Sequence, residues 1–153
     1  MAEKTISMRA VGLSLALLLA LAVKPAAAAD LLSGEWEGAY SCYQGLTALT
    51  LSIEPDGAQW AGTFTFGPVK GNKAVPHGAY TLTIRQEGGN YHMEPGSWIE
   101  QPEGYVTVAL DGTMSPDLKT LSGAVLYEGC QSFQVSRTTP LPAPPPPKGK
   151  VSH

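Results

Sequence analysis

The sequence predicts an all-β fold: an antiparallel meander of about eight strands forming a small barrel, with a β-sandwich as the alternative. Three observations predict it. Apolar and polar residues alternate with a period of two along most of 34–136, turn-forming residues separate the alternating runs, and no window carries an apolar stripe at helical spacing.

The first strand sets Trp36, Gly38, Tyr40 and Cys42 on one face against Glu35, Glu37, Ala39 and Ser41 on the other. Next, Leu49, Leu51 and Ile53 alternate with Ala48, Thr50 and Ser52, and Trp60, Gly62, Phe64 and Phe66 with Gln59, Ala61, Thr63 and Thr65. Tyr80, Leu82 and Ile84 then oppose Thr81, Thr83 and Arg85, and Val106, Val108 and Leu110 oppose Tyr105, Thr107 and Ala109. The sixth clear run sets Leu121, Gly123, Val125 and Tyr127 against Thr120, Ser122, Ala124 and Leu126, and two more strands are expected around 90–94 and 131–136. Each run has one polar face, as a sheet buried on one side requires.

Gln44-Gly45, Pro55-Asp56-Gly57, Gly88-Gly89-Asn90, Asp111-Gly112 and Glu128-Gly129 stand between consecutive runs and tolerate the positive φ of hairpin turns. Connections this short make neighbouring strands antiparallel. A one-sided meander hides its apolar face and its edges only by curling closed or folding into two sheets. Gly38, Gly62 and Gly123 fall on inward positions, which marks bends or room for large side chains, with Trp36 and Trp60 the expected occupants. A packed interior with aromatic fillers is expected, with a ligand cavity as the alternative.

The two ends have different compositions. Lys4 and Arg9 precede the apolar run Val11 to Val23, and Ala27-Ala28-Ala29 offers a small-residue cleavage site before Asp30, so 1–29 reads as a secretory signal peptide. Those 13 apolar residues rise only about 20 Å as a helix, against a hydrocarbon core of roughly 30 Å. No cysteine stands at the cleavage point to carry a lipid anchor, so no stable membrane insertion is expected after cleavage, and the protein is expected to be periplasmic or secreted in a bacterium. Cleavage leaves 124 of 153 residues, enough for one domain over 30–137. The mature chain carries 7 basic against 12 acidic residues, net −5, without a basic cluster in its folded part, which argues against nucleic acid and anionic membrane surfaces as partners. From 138 to 153 the chain reads as a disordered Pro-rich tail that favours polyproline II, either a spacer or a docking ligand for a proline-binding partner.

Export places Cys42 and Cys130 in an oxidising compartment, where a disulfide is expected rather than a metal or redox site. Cys42 ends the first strand and Cys130 opens the last. Closure of a meander makes those strands neighbours, so the sulfurs can meet across 87 intervening residues. Strict alternation puts Cys130 out of phase with Phe133 and Val135, so a bulge or the Glu128-Gly129 turn must re-aim it.

The run from Trp36-Glu-Gly38-Ala-Tyr40-Ser-Cys42 to Gln44-Gly45, with Gly62-Thr-Phe64-Thr-Phe66, Pro95-Gly96-Ser-Trp98, Gly104-Tyr105 and Leu121-Ser-Gly123, resembles small secreted bacterial β-domains of unassigned function. Some of these occur beside caspase-like peptidase domains. The resemblance covers nearly all of 33–137 and implies a secreted β-domain without catalytic residues of its own. More loosely, the Gly34-Glu-Trp36 start is similar to lipocalin and avidin barrels, and Tyr40 to Gly45 to membrane-bound inhibitors of C-type lysozyme. Avidin-like tryptophans in later strands and the inhibitor's loop motif are missing, so neither comparison carries binding residues across.

No catalytic residue is expected. Nucleophilic catalysis needs a hydroxyl or thiol, a base and an orienting carboxylate within reach, yet the chain has only His77, His92 and His153, no nucleophile or metalloprotease motif, and cysteines committed to each other. Three histidines without a close pair give no metal signature, and no cofactor is expected. Glu35 and Glu37 share a face, where solvation explains them better than glycoside hydrolysis. The expectation is a noncatalytic binding domain for cell-envelope glycan such as peptidoglycan, or for an envelope protein; the alternative is an inhibitor of an extracytoplasmic hydrolase, a lysozyme or a protease. Candidate binding residues lie on two loops: Lys70, Lys73 and His77 in the unpatterned stretch 67–77, and Trp98 and Tyr105 in 94–105, where aromatics alternate with acids. Trp98 is either an exposed platform for a sugar ring or a cap on the barrel mouth.

Overall fold

The computed structural model describes residues 30–141, so the predicted signal peptide and the tail from 142 onward lie outside the described residues. Eight strands follow in order: β1 (Gly34–Cys42), β2 (Gly45–Asp56), β3 (Gln59–Gly67), β4 (Gly78–Glu87), β5 (Asn90–Glu100), β6 (Ala109–Met114), β7 (Thr120–Leu126) and β8 (Ser132–Arg137). Each pairs antiparallel with the next, and β1 pairs with β8 from Trp36↔Arg137 to Tyr40↔Phe133, so the sheet closes into a barrel rather than a sandwich. Closure gives the first and last strands of the meander each a second partner.

Alternation decides the interior. Trp36, Tyr40, Leu49, Leu51, Phe64 and Phe66 are buried where the period-two pattern points them inward. Phe64 stands among aromatic rings, stacked on Tyr80 at 4.6 Å and edge-on to Tyr40 at 5.3 Å. Four of the five expected turns are in place, with Gly45, Gly57, Gly88 and Gly129 at φ of 88°, 62°, 59° and 80°. Two of the three inward glycines, Gly38 and Gly123, have a different reason from the one expected. Neither Trp36 nor Trp60 fills room left by Gly38 or Gly123; a Cβ at Gly38 would collide with the β8 backbone at Gln134, and one at Gly123 with the β6 backbone at Asp111.

Two elements depart from the expected boundaries. Asp111-Gly112 is not a turn but the middle of β6, where Gly112 lies opposite both Tyr91 and Gly123. A Cβ there would stand 2.7 Å from the Phe133 ring, so the glycine makes space in the core. The real turn is Ser115 to Lys119, in which Asp117 accepts from the Ser115 hydroxyl at 2.6 Å and the Lys119 amide at 3.1 Å. The second departure is β5, which continues through 94–100 instead of ending at 94. A bulge carries it: Leu82 faces Pro95 but Tyr80 faces Trp98, and the extra residue is absorbed at Gly96-Ser97, where the Ser97 amide donates to Thr81 Oγ1 at 2.9 Å. That residue turns Trp98 toward the core, and a second shift, between Trp98 and Glu100, leaves Ile99 outside.

One end of the barrel is locked by polar contacts. The Arg137 guanidinium lies 4.2 Å over the Trp36 ring and donates to the carbonyls of Ser33 (2.7 Å), Leu31 and Leu118 (3.3 Å). Cation–π contacts of this kind contribute about 0.5 to 2 kcal/mol. Asp30 accepts from the Leu32 and Ser33 amides and from Trp60 Nε1 at 2.9 Å; burial alone would raise its pKa, but these hydrogen bonds outweigh it and hold the carboxyl below its ordinary value. Leu32 is thereby seated in the core. The chain stays attached beyond β8, since the Thr138 amide donates to Glu35 at 2.9 Å and Thr139 accepts from the Glu35 amide at 3.1 Å.

The opposite end is held by the Cys42–Cys130 disulfide. The turn after β7 re-aims Cys130: Gly129 takes positive φ, the Cys130 amide donates to Tyr127 at 3.0 Å, and the Gln131 amide continues the ladder to Ser41.

Two outcomes follow. With the half-cystines 88 positions apart in the chain, Cys42→Ala should lower stability by about 2 to 5 kcal/mol in chemical denaturation, and alkylation without reductant should label neither sulfur. Burial pushes the Tyr40 and Tyr80 phenols well above the ordinary value. The folded state therefore retains protons that the unfolded chain gives up, so stability should hold below about pH 10 and fall as pH rises further. Phenolate absorbance should show those two tyrosines ionising only together with unfolding.

Candidate functional site

At the disulfide end the strands open onto a cleft of about 290 Å³. The β1–β2 turn and the connections 68–77, 101–108 and 127–131 gather here. Tyr40, Phe66 and Tyr80 form the floor, and Tyr43, Tyr105, Val106 and Tyr127 the walls and rim. Among the described residues no lysine, arginine, histidine or carboxylate lines it.

Each aromatic is placed by a separate device. Tyr80 is inward on β4, and its hydroxyl donates to the Val108 carbonyl at 2.8 Å while accepting from the Val108 amide at 3.2 Å. A side chain thus supplies the partners that Val108 lacks after the chain leaves the ladder between β5 and β6, which satisfies two buried backbone groups. Tyr105 is held by a turn, its amide donating to Pro102 at 3.2 Å, and its ring stacks on Phe66 at 5.4 Å. Tyr40 accepts from the Gln44 amide group at 3.0 Å. Tyr43 and Tyr127 ride on the two turns joined by the disulfide and remain 72% and 46% exposed. The floor is therefore rigid and its polar atoms satisfied, whereas the rim presents phenol groups to solvent.

The five residues expected from sequence fall in three places. Tyr105 lines the cleft. Trp98 stands behind the floor, half-buried and edge-on to Tyr80 at 5.2 Å and Phe66 at 6.3 Å. Lys70, Lys73 and His77 are exposed on 68–77, at the same end but outside the cleft lining. That loop is anchored: Val75 is buried, and Asn72 donates to the Gln44 and Leu46 carbonyls at 2.6 and 3.2 Å. Sequence alone does not single out Tyr43 and Tyr127. The signal lies in their neighbours, since each stands within three positions of a turn glycine and of a cysteine that closure brings together.

Away from the mouth, His92 lies on the outer wall, 3.5 Å from Glu87 through Nε2 and 3.5 Å from Asp111 through Nδ1. The carboxylates face opposite ring nitrogens, an arrangement that cannot gather both around one ion bound by the imidazole. Among the described residues no cluster of three or more metal-ligating side chains occurs, and no helix is long and apolar enough to cross a membrane.

Trp98→Ala should lower stability by about 2 to 4 kcal/mol, less than a fully buried tryptophan because one side of the ring is open. Equilibrium unfolding measures it. A melting temperature left unchanged would restore Trp98 to the exposed platform residues.

No family model matches the chain, and no curated protein matches it significantly.

Proposed function

We propose that the protein is a noncatalytic binding domain of the bacterial cell envelope, exported and cleaved ahead of Asp30, whose ligand enters the open mouth. The uncharged aromatic cleft carries this reading. Rings with exposed phenols at the rim suit a neutral ligand that offers flat apolar faces and hydrogen-bond acceptors, as a sugar ring or a short peptide does. The likeness to small secreted β-domains and the disulfide agree with an oxidising compartment. A cleft that, among the described residues, is lined by aromatics and no histidine, lysine or carboxylate supports a binding role over a catalytic one.

One observation favours the second reading, inhibition of an extracytoplasmic hydrolase. The Asn72 amide donates to the Val69 carbonyl at 2.9 Å, closing a turn with Lys70-Gly71 at its tip, and nothing would touch a Cβ placed at Gly71. A fixed, projecting basic turn is a shape that an active-site groove can accept.

Capture on peptidoglycan sacculi and on immobilised envelope proteins tests the first reading. Replacing Tyr43 and Tyr127 with alanine should weaken capture by about tenfold or more while leaving folding stability within about 0.5 kcal/mol. Equal capture of wild type and variant would exclude the mouth as the site. Inhibition of a lysozyme or secreted protease that disappears in Lys70→Ala would transfer the assignment to the loop.

A further inference from the structure

Resting on the reading of the mouth as a binding site, we propose that the cleft receives the proline-rich tract 140–147 of a second copy of this chain. Six of those eight residues are proline, which brings apolar rings and carbonyl acceptors but no N–H donor. The cleft is its complement. It offers aromatic faces, and among the described residues the hydroxyls of Tyr43, Tyr105 and Tyr127 make no hydrogen bond, leaving donors for proline carbonyls. Aromatic-lined grooves with such donors are the general solution for polyproline II ligands, because the ligand is already extended and gives up little entropy on docking.

Charge agrees with the direction of docking. Exposed Glu103 and Glu128 flank the cleft-lining Tyr105 and Tyr127, and the tract runs directly into Lys148 and Lys150. Lys70 and Lys73 lie at the same end on the far loop, so the attraction is local to the 101–108 and 127–131 side.

Chain length requires a second copy. Thr139 is anchored to Glu35 at the locked end, opposite the mouth, and the wall from Glu35 to Cys42 is eight residues of strand. At most about 3.3 to 3.6 Å per residue, an eight-residue tract spans little more than the length of that wall. A molecule's own prolines therefore reach its rim but do not fill its cleft. The contact joins different surfaces of the two partners, tail to mouth, so it builds open chains or rings, or a dimer where two tails are exchanged reciprocally.

Sedimentation velocity on the full mature chain over a wide concentration range tests this, together with NMR or fluorescence titration by a synthetic peptide spanning 139–150. The mean sedimentation coefficient should rise with concentration, excess free peptide should reverse the rise, and Tyr43→Ala should weaken both effects by about tenfold. Lys148 and Lys150 alone must not suffice, so a peptide with its prolines changed to alanine should not compete. A chain that stays monomeric throughout and whose cleft signals ignore millimolar peptide overturns the proposal, as does an alanine peptide that competes equally. If sacculi capture depends on Tyr43 and Tyr127 while the peptide does not bind, this inference falls and the binding-domain reading stands; if neither binds, both fall.

Discussion

The meeting of β1 and β8 is the constraint on which the rest of the molecule depends. These strands lie about a hundred residues apart in sequence, and their contact has to offset the loop-closure entropy of nearly the whole domain. Three devices act together against that entropy. They are the ladder from Trp36↔Arg137 to Tyr40↔Phe133, the Arg137 guanidinium over Trp36 at one end, and the Cys42–Cys130 disulfide at the other. The ladder tolerates no side chain at Gly38, where the two backbones come too close.

Closure also makes the two ends chemically unlike. Around Asp30, Trp60 and Arg137 the groups are charged or strongly hydrogen-bonded, and the first described residues are drawn over the opening. The other end has its polar atoms satisfied in the floor and its aromatic rings turned to solvent at the rim. An eight-strand barrel is just wide enough for side chains to fill it, so the cleft lies at its mouth. The two longest connections, 68–77 and 101–108, lie there.

Much of this was legible in the sequence. The period-two pattern located five strands because one face of each is buried, whereas the run 105–110 meets β6 only at Ala109 and Leu110 and leaves Val106 exposed; Gly45, Gly57, Gly88 and Gly129 marked turns because each adopts a conformation that residues with a Cβ avoid. Asp111-Gly112 misled for a physical reason: a glycine demanded by the Phe133 ring looks, in sequence, like a glycine demanded by a turn. The latter half of β5 was hidden by Pro95 and Gly96, which break alternation at a bulge as they would in a loop. Of the candidate site, Tyr105 was legible and the rim tyrosines were not. Their roles arise only when turns from opposite ends of the domain are brought together, a relation that no local pattern records.

Tyr80 has a mechanical consequence. The hydrogen bonds that tie the 101–108 crossing to the barrel wall converge on one phenolic oxygen, which takes both the amide and the carbonyl of Val108. Replacing that oxygen alone, as in Tyr80→Phe, strands both groups of Val108 without a partner in the interior while the ring keeps its stack on Phe64, so the position of the crossing hangs on a single atom contributed by another strand.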